Sequence, residues 1–295
     1  MRINLRHTTR LEYASDVLEG VMDVRLGPLS DNHQRWERYD LLVDPAGAVR
    51  RYADGFGNTA HLLTVVRPHS YVQVVAGGVV ETLLSDPFAQ PTSPPRPLSA
   101  AERYDFLSPS KLVDAVPQFA ELAEPFRPSR EDDLLAAVRD MTEWVNHEYS
   151  YERGVTNVGT TAQELIDCRT GVCQDFTHVL LALCRAIDVP ARYVSGYIVV
   201  TDDESTETID DVAPGRTGRP RTILRGAGES HAWVEAFIPT HGWRGFDPTN
   251  NVLASEQHVK MAYGRDYADV PPTRGTYRGP AEEHLSVTVE TRVVL

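Results

Sequence analysis

The sequence predicts an α+β fold, in which an N-terminal antiparallel β region precedes a core built from a buried helix packed on an antiparallel sheet. Three observations carry this prediction. Apolar and polar residues alternate with a period of two through much of the first 90 residues. Residues 173–187 instead carry apolar side chains at helical spacing, and two further strand-like segments follow at residues 231–238 and 243–247.

The composition limits the classes of protein that this chain can represent. Its 295 residues suffice for one large domain or two ordinary ones, and a hydrophobic content of 41% supports a sizeable core. The net charge of -13 argues against nucleic acid as a partner, because no excess of cations is present to neutralise phosphates. We expect no membrane partner, since no segment has the length of a membrane-spanning helix and the N-terminus lacks the apolar stretch of a signal peptide. An odd number of cysteines favours a reducing compartment, so a cytoplasmic location is predicted, whereas the oligomeric state is not indicated.

Five strands are predicted in the N-terminal region, where turn signals such as Gly27-Pro28 and Asp44-Pro45 separate them. They cover residues 3–13, 20–26, 36–43, 59–66 and 71–83. No helical period competes with them, so we expect a small antiparallel sandwich or barrel. Four histidines are scattered here without the spacing of metal ligands, and we expect them to be structural or solvent-exposed. They are His7, His33, His61 and His69.

The proline-rich segment 90–97 is the best linker candidate, because proline favours an extended spacer. It divides the chain into a β-sandwich-like domain, residues 1–97, and a second domain, residues 98–295, that holds the candidate catalytic residues. The last strand of the second domain can pair with the N-terminal domain. Helical signals begin after this linker. Residues 134–145 form an apolar face behind acidic residues suited to a helix N-terminus, and residues 161–164 form a capping box that opens another helix.

Cys173 lies on the first turn of the most strongly patterned helix, directly after a polar turn and Gly171. Unpaired backbone N–H groups and the positive end of the helix dipole favour a thiolate at such a position, and a thiolate is the nucleophilic form. A buried core cysteine is the alternative interpretation of this residue. Cys168 is not at a metal-binding spacing from Cys173, and we expect it to be structural.

Two downstream strands supply the companions that a catalytic cysteine needs. His231 lies near the start of the first strand, and Asp247 ends the second strand after a short turn. Antiparallel strands joined in this way can place both side chains on one face. We expect the carboxylate at Nδ1 of the imidazole, so that Nε2 faces the thiol of Cys173. Two neighbours are predicted to border the substrate cleft, namely Gln174 and Trp233.

Three segments of this chain resemble the catalytic blocks of the bacterial transglutaminase-like superfamily. They are GVCQDFTHVLLALCRAIDVPARYVSGY, SHAWVEAF and GWRGFDPTNN. The segments RHTTRLEY, VRLGP and DGFGN resemble the N-terminal β region that often precedes this domain in bacteria, and residues 258–279 resemble its C-terminal segment. The resemblance implies a papain-like site with Cys173 as nucleophile, His231 as general base and acid, and Asp247 as orienting carboxylate. It also implies that helices surround the Cys-bearing helix and pack on the sheet that carries His and Asp.

These residues predict a thiol acyl-transfer enzyme that acts on an amide or peptide bond through a thioester on Cys173. Water as the second reactant would make the protein a cysteine peptidase or amidase, whereas an amine would make it a transglutaminase. The three catalytic residues do not separate these outcomes. We expect hydrolysis, because excluding roughly 55 M water requires a dedicated dry channel for the amine. No cofactor is predicted.

Two further classes are alternatives to an enzyme. A non-catalytic binding module would keep the fold without turnover, although the intact Cys, His and Asp argue against it. A zinc-binding protein is the second alternative. The cysteines and histidines that could serve as its ligands have spacings that match no common zinc pattern, which argues against this class. These candidates are Cys168, Cys173, His178, Cys184 and His231. The polar segment 201–222 is longer than a hairpin requires, and we expect a disordered surface loop there or, alternatively, a lid over the cleft.

Overall fold

The structure, a computed structural model, describes residues 1–130, 133–199, 224–226 and 228–294. These residues form an α+β protein whose large sheets are antiparallel, as the sequence predicts. The predicted loop or lid at residues 201–222 lies outside the described residues. Of the helices within the described ranges, none is long and apolar enough to cross a membrane.

Six N-terminal strands form most of two antiparallel sheets that share one apolar core. They are β1 (Arg2–Val17), β2 (Glu19–Val24), β3 (Gln34–Asp44), β4 (Ala48–Ala53), β5 (Thr59–Val65) and β6 (His69–Thr82). Alternate residues of β1 from Ile3 to Thr9 are buried, because successive side chains of a strand point to opposite faces. The sequence pattern does not predict β4. All six residues of that strand are exposed, so it has no alternation of buried and exposed side chains.

In the part of the second region that the structure describes, five α-helices accompany a five-stranded antiparallel sheet and a two-stranded pair. The helices are α1 (Ala100–Leu107), α2 (Pro117–Ala123), α3 (Leu134–Glu148), α4 (Ala162–Cys168) and α5 (Cys173–Ala186). The strands are β7 (Ser150–Tyr151), β8 (Thr170–Gly171), β9 (Ala191–Ile198), β10 (His231–Ile238), β11 (Gly242–Asp247), β12 (Val252–Leu253) and β13 (His258–Gly264). A short parallel pair joins β7 to β8, and the other five strands form a sheet in the order β12-β11-β10-β9-β13.

The helix α5 is the centre of this second region, because other helices pack around it and its inner face packs on β9 and β10. Val179, Leu180 and Leu183 of this helix are completely buried. The neighbouring α4 begins with the predicted capping box. The Thr161 hydroxyl accepts a hydrogen bond from the Glu164 N–H (3.2 Å), and the Glu164 carboxylate accepts one from the Thr161 N–H (2.8 Å).

The last two strands, β14 (Thr273–Arg278) and β15 (Glu283–Val293), return to the N-terminal region. β15 pairs with β1 along most of that strand, and β14 pairs with β2. The two sheets of this region therefore have the orders β15-β1-β6-β3 and β14-β2-β5-β4. The N-terminal β region is therefore built from both ends of the described chain. In sequence, the helices and the five-stranded sheet lie between β6 and β14.

Buried charged side chains join the N-terminal region to the five-stranded sheet. Glu235 on β10 accepts a hydrogen bond from Arg192 (2.7 Å) and forms an ion pair with Lys260. Lys260 also pairs with Asp31 of the N-terminal region at 2.6 Å. Burial by itself would raise the pKa of Glu235, but Arg192 and Lys260 hold it at about 2, so this carboxylate is charged. These ion pairs link strands β9, β10 and β13 of the five-stranded sheet to Asp31 of the N-terminal region.

Candidate active site

Cys173 is the first residue of α5, directly after the short strand β8. The carboxylate of Asp175 fixes this junction, because its Oδ2 accepts hydrogen bonds from the Val172 N–H (2.8 Å) and the Thr156 hydroxyl (2.6 Å). Gly171 leaves room for that carboxylate, since a Cβ there would lie 2.6 Å from Oδ2. The thiol therefore stands at the positive end of the helix dipole, where the first backbone N–H groups have no acceptor inside the helix.

The three cysteines have different surroundings. Cys168 is exposed, Cys173 is partly buried and Cys184 is fully buried. Burial raises the pKa of the Cys184 thiol to about 12, which disfavours its thiolate. Of the three, only Cys173 borders the cavity that also contains His231. Within the described ranges, no group of three or more His, Cys, Asp or Glu side chains is arranged to hold a metal ion.

His231 and Asp247 form a hydrogen-bonded pair in which both side chains are inaccessible to solvent. The Nε2–H of His231 donates to Oδ2 of Asp247 at 2.8 Å. Antiparallel pairing sets Val234 of β10 opposite Phe246 of β11, so Asp247 lies opposite Trp233 and diagonally across from His231. Because side chains alternate along a strand, all three of these residues share one face.

The orientation of the His231 ring corrects the expectation from sequence, which placed the carboxylate at Nδ1 and the thiol at Nε2. In the structure Nε2 bonds to Asp247, and Nδ1 has no hydrogen-bond partner among the described residues. The strand register gives the reason. Diagonal neighbours across an antiparallel pair lie about 7–8 Å apart, so the nitrogen farther from the backbone is the one that reaches the carboxylate. Nδ1 is left for Cys173, whose thiol is close enough to raise the pKa of His231.

The charges of the pair follow from its surroundings. Burial alone would lower the pKa of His231, but Asp247 and then Cys173 outweigh burial and raise it to about 10. Burial alone would raise the pKa of Asp247, yet His231 and His258 hold it well below its ordinary value. The pair is therefore an imidazolium and a carboxylate at neutral pH. A cationic neighbour of this kind favours the thiolate form of a cysteine.

Asp247 is held by more donors than His231 alone. Its Oδ1 accepts hydrogen bonds from the backbone N–H groups of Thr249 (2.9 Å) and Asn250 (3.2 Å). Its Oδ2 also accepts from Nδ2 of Asn250 (2.7 Å) and from Nε2 of His258 (3.4 Å). Neither Asn250 nor His258 has a role predicted from sequence. Asn250 lies three residues after Asp247 and could have been suspected, whereas His258 comes from a different strand.

Cys173 and His231 border a cavity of about 260 Å³. Its wall carries three aromatic side chains, from Tyr151, Tyr193 and Tyr267. Arg153 and Glu229 also line the cavity, where they form an exposed ion pair at 2.8 Å. The wall thus combines aromatic rings with charged and polar side chains, and convergent polar groups beside apolar surface are typical of a ligand pocket. A second cavity of about 310 Å³ lies near the other end of α5, but it is lined by neither cysteine nor histidine.

Gln174 and Trp233 both lie near the pair, at different depths. Gln174 lines the cavity, and its Nε2 donates to the carbonyl of Val158 at 3.3 Å. Trp233 is buried and is not among the described residues that line the cavity. Its ring stacks on His231 with 6.2 Å between the ring centroids. Trp233 therefore supports the imidazole from behind and does not form the cleft wall that the sequence analysis expects.

Two protein-family models match this chain. The model of the Transglutaminase-like superfamily matches residues 120–248, a range that includes Cys173, His231 and Asp247. The model of the Bacterial transglutaminase-like N-terminal region matches residues 3–81, which hold nearly all of β1 and β6 and the whole of the four strands between them. Both regions of the fold are therefore matched, in the order that the sequence analysis expects.

Several proteins are similar to this chain in sequence. An uncharacterised protein of Mycobacterium tuberculosis is 31% identical over 98% of this chain and 92% of its own length. A second uncharacterised protein, from Mycobacterium leprae, is 30% identical over 98% of each chain. A protein-glutamine gamma-glutamyltransferase of Pseudomonas aeruginosa is 29% identical over 49% of this chain and 21% of its own length. The mycobacterial similarity thus spans whole chains, whereas the Pseudomonas similarity spans a part.

A crystal structure from Cytophaga hutchinsonii is similar in fold over the whole chain. Its TM-score is 0.71, and the match covers 100% of this chain and 92% of that one at 23% identity. That protein carries the provisional name of cysteine protease. At this level of identity the similarity establishes the fold, including the attachment of the N-terminal β region to the core.

Proposed function

The chain belongs to the transglutaminase-like superfamily, and from this premise we propose that it is a thiol acyl-transfer enzyme that hydrolyses an amide or peptide bond. One observation carries the proposal: the buried His231–Asp247 pair lies at a cavity that Cys173 also borders from the start of α5. In this proposal Cys173 is the nucleophile, His231 the proton carrier and Asp247 the group that orients the imidazole. No cofactor is required.

The proposed reaction begins with an ion pair of the Cys173 thiolate and the His231 imidazolium. The thiolate attacks the carbonyl carbon of the amide, and the carbonyl oxygen becomes an oxyanion. In this proposal, backbone N–H groups at the start of α5, including that of Cys173, donate hydrogen bonds to this charge and stabilise it. Nδ1–H of His231 then gives its proton to the departing amine, which leaves a thioester on Cys173.

Hydrolysis of the thioester completes the proposed cycle. Neutral His231 takes a proton from water through Nδ1, the water oxygen bonds to the acyl carbon, and the bond to sulfur breaks. The products are a carboxylic acid and the restored thiolate–imidazolium pair. Asp247 stays ionised throughout, because its hydrogen bonds from Thr249, Asn250 and His258 stabilise the carboxylate.

Transfer of the acyl group to an amine is the second candidate function. It is favoured by the similarity to the protein-glutamine gamma-glutamyltransferase of Pseudomonas aeruginosa, which reaches about half of this chain. The same three residues would perform this reaction, with an amine in place of water. The choice between the two candidates therefore depends on which nucleophile reaches the thioester.

A peptide library analysed by mass spectrometry tests the proposal. We expect the protein to hydrolyse amide bonds in the library, and we expect Cys173→Ala to retain the fold and lose every product. Added primary amine should give few amine-containing products if hydrolysis is the function, and many if transfer is. Products that persist undiminished in Cys173→Ala would contradict both candidate functions.

Alkylation tests the proposed nucleophile without a substrate. Iodoacetamide should label Cys173 first, because this thiol lies at the helix terminus beside the imidazole of His231, surroundings typical of reactive cysteines. Cys168 is exposed and serves as the internal control for an ordinary accessible thiol, and Cys184 should stay unlabelled in the folded protein. Peptide mapping that finds Cys168 labelled faster than Cys173 would count against the activated thiolate.

A further inference from the structure

A short piece of backbone passes close to His231 at the nitrogen that Asp247 does not bind. A Cβ at position 226 would lie 2.5 Å from Nδ1 of His231 and 3.1 Å from Cγ, so only glycine fits there. Gly226 also has a φ of +96°, a conformation that other residues rarely adopt. We call Arg225 and Gly226 the strap. It occupies the space beside the nitrogen that would exchange protons with the reactants.

Asn250 fastens the strap to the active-site pair. Its Oδ1 accepts a hydrogen bond from the Arg225 N–H (2.6 Å), and its Nδ2 donates to the Arg225 carbonyl (3.1 Å). The same Nδ2 donates to Oδ2 of Asp247 at 2.7 Å. One side-chain amide therefore fixes both the strap and the carboxylate that orients His231.

Further contacts hold the strap against the cavity. The guanidinium of Arg225 lies over the ring of Tyr151, 5.3 Å from its centroid. The Glu229 N–H donates to the Gly226 carbonyl (3.3 Å), and the Glu229 carboxylate pairs with Arg153. Tyr151 and Glu229, which contact the strap, and Arg153, which pairs with Glu229, all line the cavity, so the strap lies directly behind the part of the cavity wall next to His231.

The second half of the proposed reaction takes place beside this wall. The incoming nucleophile gives a proton to Nδ1 of His231 while its oxygen or nitrogen bonds to the acyl carbon and the bond to Cys173 breaks. Water has no substituent, so it can approach Nδ1 beside the strap. An amine carries a substituent, which must find room between the strap and the acyl group.

We propose that the strap, fastened by Asn250, limits the size of the second nucleophile and thereby favours hydrolysis over transfer to an amine. The inference rests on the proposed acyl-transfer function and adds a determinant of specificity outside the three catalytic residues. Asn250 is a positioning residue in this scheme, because it acts on the strap and on Asp247 and not on the substrate.

The ratio of products tests the strap separately from the rate of the enzyme. The same peptide library is incubated with methylamine or with butylamine at equal concentration, and mass spectrometry counts hydrolysed and amine-containing products. In the wild type, we expect methylamine products to exceed butylamine products by about tenfold or more, the discrimination that a close-fitting wall gives per added methylene. In Asn250→Ala the strap is released, and this preference should fall to about twofold or less.

His258→Gln is the matched control, because His258 also donates to Oδ2 of Asp247 but makes no contact with the strap. We expect it to lower the rate and to leave the ratio of the two amine products unchanged. A wild type that uses both amines equally, or an Asn250→Ala protein with the wild-type ratio, would overturn the role of the strap. An equal change of ratio in His258→Gln would also overturn it, since the effect would then arise through Asp247.

Circular dichroism shows whether Asn250→Ala folds. If it does not fold, the wild-type protein still tests the size limit, because equal use of methylamine and butylamine would refute it. A wild type that gives no Cys173-dependent product of any kind refutes the acyl-transfer function, and the strap loses its role with it. Cys173-dependent products without size discrimination refute the strap alone.

Discussion

Two buried histidines, His7 in the N-terminal region and His231 in the core, differ in charge at neutral pH: the first is neutral and the second is cationic. His7 is 1% exposed and hydrogen-bonds to the hydroxyls of Thr9 (2.8 Å) and Tyr197 (2.7 Å). Burial lowers its pKa to about 4, so it is neutral. His231 is 2% exposed, but its partner is Asp247 and its pKa is raised to about 10.

The comparison shows that the partner decides the charge of a buried histidine. A hydroxyl bonds to a neutral imidazole without compensating a charge, whereas a carboxylate stabilises the imidazolium. His7 bonds through Nε2 to Thr9 of its own strand and through Nδ1 to Tyr197 of β9, so both ring nitrogens have structural partners and one of them joins β1 to β9. His231 uses one nitrogen for Asp247 and keeps the other for proton transfer.

Asp247→Asn should have the largest effect, because it removes the partner that distinguishes His231 from His7. We expect the fold to persist and turnover to fall by roughly 10⁴-fold, the loss seen when a carboxylate of this kind becomes an amide. The pKa of His231, followed by NMR, should fall towards the range of His7. An unchanged turnover would remove Asp247 from the site.

Gly226→Ala should have the next largest effect, because its Cβ would collide with the unpaired nitrogen of His231. A displacement of the imidazole by about 1 Å can cost on the order of 10²-fold in turnover. Gly228→Ala is the matched control, since Gly228 also has a positive φ (+75°) but a Cβ there would meet no atom within 4 Å. We expect similar melting temperatures for the two variants and a large loss of turnover in the first alone.

The two histidines should also give stability opposite dependences on pH. A raised pKa stabilises the folded state fully below the ordinary value of 6.5, so the contribution of His231 is lost as the pH rises through about 10. A lowered pKa acts in the other direction, so the contribution of His7 is present above 6.5 and is lost as the pH falls through about 4. Denaturant unfolding between these limits measures both effects. In His7→Gln, the pH dependence of the free energy of unfolding should become flatter on the acidic side only.

Tyr197→Phe should have the smallest effect, because it removes one hydroxyl bonded to His7 and leaves the core site intact. We expect a loss of about 1 kcal/mol in the free energy of unfolding, the usual contribution of one hydrogen bond, with turnover unchanged. Thermal and denaturant unfolding measure the first quantity. A large loss of turnover would show that the attachment of the N-terminal region controls the active site.

Some features of the fold follow from patterns within short segments. The alternation in β1, the capping box of α4 and the helical spacing after Cys173 depend on neighbours that are close in sequence. The sequence misses β4 because an exposed edge strand has no buried face to create a pattern. The sequence also leaves open whether His7 is structural or solvent-exposed, since the burial of this side chain depends on Tyr197, which lies far along the chain.

The sequence by itself determined which side chains are available for the candidate site: a cysteine at a helix start and a histidine and an aspartate on consecutive strands. These assignments are local, because they depend on periodicity and on turn residues. Tertiary structure alone decided that Nε2 of His231, and not Nδ1, bonds to Asp247, since the diagonal register of β10 and β11 sets the reach of the ring. It also decided that Gly226 lies against this imidazole and that Asn250 fastens it there. Such contacts depend on distances between segments that only the packed chain brings together.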